Sequence, residues 1–125
     1  MAYKHGKSEK MESRLIDFAV RIVRLSSSLP NNFAGAHFGK QILRSGSAPA
    51  LLYGEARGAE SDRDFRHKCS IALKELRETF INLKIIKKAN LYADGQLAQL
   101  LDENDQLISI FVSTIRTMDN KLYKH

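Results

Sequence analysis

The charged side chains between Gln41 and Thr79 are where this chain carries the residue types that chemistry needs. Arg44, Glu55, Arg57, Asp64, Lys74, Glu75 and Glu78 are set among apolar residues there. Carboxylates held beside cations in a poorly solvated setting are the raw material of general acid–base catalysis. The same groups also serve a structural purpose, because a buried charge without a partner is costly. Arg44 and Glu55 share one side of a helix about three turns apart, and Lys74-Glu75 and Arg77-Glu78 repeat beside Ala72 and Leu76. No nucleophile or cofactor motif accompanies them. Arg44, Glu55, Asp64, Lys74, Glu75 and Glu78 are therefore read as a salt-bridge network fixing register within or between subunits. A general acid/base pair is the alternative, and the expectation is a protein without enzymatic activity.

Other chemistries find less support. His5, His37, His67 and His125 have no histidine or cysteine three or four residues away, so no pattern of converging metal ligands exists. Cys69 falls on an apolar helical seam, where a thiol packs rather than attacks. Gly35-x3-Gly39 and Gly54-x3-Gly58 follow no strand and precede no Gly-Lys-Ser/Thr, so they are not phosphate loops. No catalytic residue, metal ligand or cofactor is assigned.

Cations form a second pattern. Lys74, Arg77, Ile81, Lys84 and Lys88 fall on one helical side, with Lys87 beside them. Lys10, Arg14, Arg21 and Arg24 form a row interrupted by Asp17. Such rows neutralise phosphates with little sequence readout, so Lys74, Arg77, Lys84, Lys87, Lys88, Arg14, Arg21 and Arg24 are candidate nucleic-acid contacts. A solvated charged face is the alternative. No aromatic residue is interleaved for base stacking, and no helix-turn-helix signature is present. Charge is uneven along the chain. Residues 61–88 hold eight Lys/Arg against four Asp/Glu, and residues 89–125 three against five, within a formal net charge of +6.

These groups must be positioned by a chain of 125 residues, enough for one domain with one core. No apolar stretch approaches the roughly 20 residues needed to span a bilayer. The N-terminal MAYKHGKSEKMESR lacks the apolar region of a secretory signal. With a single cysteine besides, a cytoplasmic protein without a membrane association is expected.

Hydrophobic periodicity predicts an all-α protein of four helices, at about 8–29, 33–59, 62–89 and 95–122. Met11, Leu15, Phe18, Ile22, Leu25 and Leu29 step by three and four, as do Phe65, Cys69, Ala72, Leu76, Thr79, Leu83 and Ile86. Leu97, Leu101, Asn104, Ile108, Phe111, Ile115, Met118 and Leu122 keep the same rhythm. Asn31 or Asn32, Ser61 and Asp94 are candidate N-caps. The segment 33–59 is the least helical by propensity, since an interior glycine costs about 0.8–1 kcal/mol and a proline about 3 kcal/mol relative to alanine. Phe38, Ile42, Ser45, Pro49, Leu52, Ala56 and Ala59 nevertheless hold helical spacing. One helix kinked near Pro49, or two helices meeting there, is predicted, with a loop at 45–49 as the alternative. Short connections favour an up-down-up-down antiparallel bundle.

The spacing L-R-S-G-S-x-P-A-x-x-Y-x-E-A-x-x-A-x-S-x-x-D-F-x-x-K, followed by I-A-L-K-E-x-R-E-T, resembles the small bacterial four-helix proteins encoded in intervening sequences of 23S ribosomal RNA genes. Their relatives include the accessory subunits of diversity-generating retroelements. The resemblance runs from about Phe18 to Leu122 and is densest at Leu29-Pro30, Gln41–Gly46, Tyr53–Ala56 and Ser61–Thr79. It implies the protomer of a ring-shaped homo-oligomer, a pentamer, with the small-residue helix and polar network at subunit contacts and the basic rows on a continuous positive surface. It also implies binding of RNA or DNA, alone or with a partner protein such as a reverse transcriptase, or a scaffold role without nucleic acid. Leu51-Leu52 depart from the small or amide residues usual before the tyrosine. Residues 1–10 have no counterpart and are expected to be disordered.

Overall fold

A computed structural model describes residues 5–93 and 95–123, with side chains from Ser8 onward. Four helices account for nearly all of them: α1 (His5–Ser27), α2 (Phe33–Arg57), α3 (Asp62–Lys88) and α4 (Gln96–Tyr123), with no strand among the described residues. Helix α1 starts three residues before the expected Ser8, so positions 5–10 are helical rather than disordered. Its last turn is closed by hydroxyls that turn back on the backbone. Ser26 and Ser27 donate to the Val23 carbonyl at 2.9 and 3.0 Å, and Ser28 donates to that of Arg24 at 2.9 Å.

Helix α2 runs unbroken through Pro49. Asn32 starts it, its side-chain oxygen accepting from the Gly35 amide at 2.8 Å. The glycines that weaken the helix in isolation are needed for its packing. A Cβ on Gly46 would lie 2.7 Å from the side chain of Ile22, and one on Gly35 would lie 1.8 Å from the Pro30 carbonyl oxygen. That close approach to α1 seats Ile42, Tyr53 and Ala56 in the core. Fully burying a large apolar side chain is worth roughly 1.5–3 kcal/mol, enough to offset a glycine or two. Of the departing pair, Leu51 is exposed and Leu52 half-buried.

Ser61 caps α3, accepting from the Asp64 amide at 3.0 Å, with Asp62 and Asp64 in the first turn and Lys87 and Lys88 in the last. Each charge faces the favourable end of the helix dipole. Asn90, at φ 55, turns the chain just beyond. The expected cap of α4, Asp94, lies outside the described residues.

The register between helices follows from named contacts. Along α1 and α2, Gly39 lies near Ser26, Gly46 near Ile22 and Gly54 near Glu12. Along α2 and α3, Arg44 meets Glu75 and Glu78, whereas Glu55 meets Lys68. Along α3 and α4, Leu76 meets Asn104, Arg66 meets Asp119 and Asp62 meets Lys121. In each pair one helix is ascended as the other is descended. Helices α1 and α4 meet over a much shorter stretch.

The core joins all four helices. Tyr53 sits at its centre, edge-on to Phe65 and Phe111 with ring centroids 6.3 and 5.9 Å away. On α4 the buried stripe is Leu97, Leu100, Asn104, Leu107, Phe111, Thr114 and Met118. Leu101, Ile108 and Ile115, expected on that line, are only half-buried. The apolar face of α4 is wide enough for both series, and packing places these alternate positions one residue earlier.

Candidate functional site

Of the six residues expected to form one polar network, the structure brings three together. Glu75 and Glu78 lie three residues apart on the side of α3 that faces α2. Arg44 reaches both, Nη1 donating to Glu75 Oε2 at 2.7 Å and Nη2 to Glu78 Oε1 at 2.6 Å. The two carboxylates respond differently. The hydrogen bond from Arg44 holds Glu78 below the usual carboxylate range, and burial pushes Glu75 above it. Arg44 is itself raised, foremost by its bond to Glu78. One guanidinium thus bridges two acids across a helix seam, with one charge-assisted hydrogen bond to each.

The other three expected members lie elsewhere. Glu55 accepts from Lys68 at 3.2 Å. Asp64 takes part through its amide, in the cap with Ser61. Lys74 is exposed. The expected single network is thus a three-residue clasp plus separate pairs, because Glu55 and Arg44, three turns apart on α2, face different levels of α3.

The cations also divide. Arg14, expected on a phosphate-binding row, is bound bidentately to Glu103 of α4, Nε to Oε2 at 2.8 Å and Nη2 to Oε1 at 2.7 Å, with Gln106 Oε1 at 2.9 Å. That partner is 89 residues away in the chain, beyond the reach of any local pattern. Arg14 joins α1 to α4 at a charge-neutralised site. At the end formed by the start of α1 and the end of α2, Arg57 pairs with Glu12 at 3.1 Å. Close by, Arg66 pairs with Asp119 at 2.8 Å and Lys121 with Asp62 at 2.7 Å.

At the opposite end the pairing stops. The register brings together the last turns of α1, the first turns of α2 and the last turns of α3. Arg21, Arg24, Lys40, Lys84, Lys87 and Lys88 stand there with no ion pair among the described residues. Lys84 lies over the Phe80 ring, 4.3 Å from its centroid. Lys74 and Arg77 continue the exposed cationic face along α3. Sequence reasoning missed Lys40 because it read α2 for its small residues. The signal was present in the spacing Phe33, His37, Lys40, Arg44, an exposed face with a helical period.

Cys69 is fully buried, and burial pushes its thiol up to about 12. Among the described residues no group of three or more His, Cys, Asp or Glu is placed to hold a metal ion. No helix among the described residues is long and apolar enough to cross a membrane either.

Fold and site together define an all-α, four-helix protein with a clasped seam and a cluster of unpaired cations at one end. The family model of 23S rRNA-intervening sequence proteins matches residues 9–113, and the chain belongs to that family. It is similar to the crystal structure of a protein of unknown function from the S23 ribosomal protein family of Bacteroides thetaiotaomicron VPI-5482. The two share 32% sequence identity with a TM-score of 0.80, over 88% of this chain and 98% of that one. Comparison with curated proteins finds no match.

Proposed function

We propose that this protein is a non-enzymatic, oligomeric adaptor that binds RNA or DNA through phosphate contacts at its basic end. The observation that carries the reading is the cluster of unpaired cations at that end. Arg57, Arg66, Lys68 and Lys121 at one end of the molecule are ion-paired, with Lys10, Arg63 and Arg116 unpaired beside them. Arg21, Arg24, Lys40, Lys84, Lys87 and Lys88 at the other end form no ion pair among the described residues. Free, clustered ammonium and guanidinium groups attract polyanions, with counterion release as the driving force. Arg21, Arg24, Lys84, Lys87 and Lys88 supply the contacts, Lys40 joins them, and Lys74 and Arg77 extend the surface. Arg14 is left out, since Glu103 neutralises it.

The protomer in this reading is an up-down-up-down bundle, which the opposed registers support, and it assembles into a homopentameric ring in the cytoplasm. Ile16, Val20 and Val23 on α1 face outward together with Leu43 of α2, between 40% and 48% exposed. Apolar surface of that kind is commonly covered by a partner. Repetition of the basic end around a ring converts weak contacts into avidity. The same apolar face favours a second reading, a scaffold that recruits a partner enzyme such as a reverse transcriptase without touching nucleic acid.

A gel-shift titration with structured RNA tests the first reading. Binding should fall steeply with salt, and Lys84→Glu/Lys87→Glu/Lys88→Glu should abolish it. Undiminished binding by that variant would remove the assignment. Pull-downs with and without nuclease separate the two readings.

A further inference from the structure

Phe33 is 97% exposed, the most exposed of the large apolar side chains. It opens α2 at the basic end and packs against nothing that would explain an aromatic ring there. His37 follows one turn later and Lys40 one turn after that, both exposed on the same face. At 1.5 Å per residue the three span about 10 Å along the helix axis. The His37 ring lies edge-on to Phe38, centroids 5.0 Å apart at 88°. Because α2 and α3 run through their contacts in opposite order, the start of α2 lies at the level of Lys87 and Lys88.

We propose that the Phe33–His37–Lys40 face of α2 binds an unpaired segment of nucleic acid, with bases stacking on the two rings and phosphates held by Lys40 and Lys88. Charge alone would favour duplex and single strand alike. An aromatic ring in a cationic field favours unpaired bases, because only they offer an open π-face, and stacking tolerates any base. A protein partner would equally accept an exposed phenylalanine, but the free cations around it select a polyanion. This inference rests on the polyanion-binding reading above and narrows its ligand to strands with unpaired bases.

The chain has no tryptophan, so Phe33→Trp places a single tryptophan, excited selectively over the tyrosines, at the proposed stacking position. The full-length protein is titrated with a single-stranded oligouridine of about 20 nucleotides and with an RNA duplex of equal length. Single strands should bind more tightly and quench Phe33→Trp emission, while duplex leaves it unchanged. Phe33→Leu, which stays apolar and disturbs no packing, should weaken oligouridine binding by roughly 5- to 150-fold, the range measured for losing one base–aromatic stack. Oligouridine affinity unchanged in Phe33→Leu, with unquenched Phe33→Trp, would overturn the stacking site yet leave charge-driven binding standing. Loss of self-association by Phe33→Leu in light scattering would also overturn it, showing that a second copy covers the ring. Failure of the wild type to bind either RNA at low salt would overturn both readings.

Discussion

Three glycines on α2 offer the same substitution in three different surroundings, and the structure assigns each a sign. Replacing a helix-interior glycine by alanine gains about 0.8–1 kcal/mol of intrinsic propensity. At Gly39 the new methyl would meet the Ser26 carbonyl oxygen at 3.5 Å and Leu29 at 3.8 Å, ordinary contact distances. Gly39→Ala should therefore stabilise by most of that amount, raising Tm by about 4 °C in a domain of this size. At Gly46 the methyl would lie 2.7 Å from both γ carbons of Ile22. A β-branched side chain in a helix has one strongly preferred rotamer, so it cannot swing aside. Overpacking of that kind costs roughly 1–3 kcal/mol, so net of the propensity gain Gly46→Ala should be up to about 2 kcal/mol less stable than wild type. At Gly35 the obstacle is a backbone carbonyl 1.8 Å away, which yields only if the whole turn moves. Its loss should reach at least the top of that range, about 3 kcal/mol. Urea unfolding followed by far-ultraviolet circular dichroism gives the order: Gly39→Ala, wild type, Gly46→Ala, Gly35→Ala. Equal stability of Gly46→Ala and Gly39→Ala would refute the claim that α1 and α2 meet through these glycines.

The Arg44 clasp makes a pH-dependent prediction. Glu78 is held below its ordinary value of 4.5, so its contribution to stability is complete above that pH and is lost as pH falls through the lowered value. Glu75 is raised and runs oppositely, its charged form being the less stable one in the fold. Arg44→Gln removes the bond holding Glu78 down and leaves two neighbouring carboxylates unneutralised. Stability should drop by about 0.5–1 kcal/mol at neutral pH and converge with wild type as both acids protonate; a deficit independent of pH would contradict this. Cys69, buried and with its thiol pushed up to about 12, should resist iodoacetamide in the native protein and react readily in denaturant. Fast native labelling, read by mass spectrometry, would place the thiol at the surface.

The helices were legible because their determinants are local. The N-cap at Ser61 and the three-four rhythm of α1 and α3 are each written within a few residues. The helical state of 33–57 was legible only against propensity, through spacing that persists across Pro49. What stayed hidden depends on partners distant in sequence. Glu103 captures Arg14, and Lys68 rather than Arg44 takes Glu55; no spacing rule reaches either event. Arg14 was counted with the basic row on α1 for that reason. Lys40 and Phe33 were overlooked differently: their spacing was visible, but their meaning depends on which turns of α3 stand beside them. On α4 the expected Leu97, Asn104, Phe111 and Met118 are buried, and only the alternate positions fall one residue earlier, at Leu100, Leu107 and Thr114, decided by packing among competing apolar positions.

The short meeting between α1 and α4 has a mechanical consequence. The three long seams follow chain order, whereas α1 and α4 meet over a shorter stretch that includes the Arg14–Glu103 pair. The start of α1 and the finish of α4 also lie at the same end of the molecule. Tension applied between the two termini would therefore peel the outer helices away one turn at a time, loading few bonds at once. Such a chain yields at low force when pulled by its ends, although the same helices would resist being slid past one another.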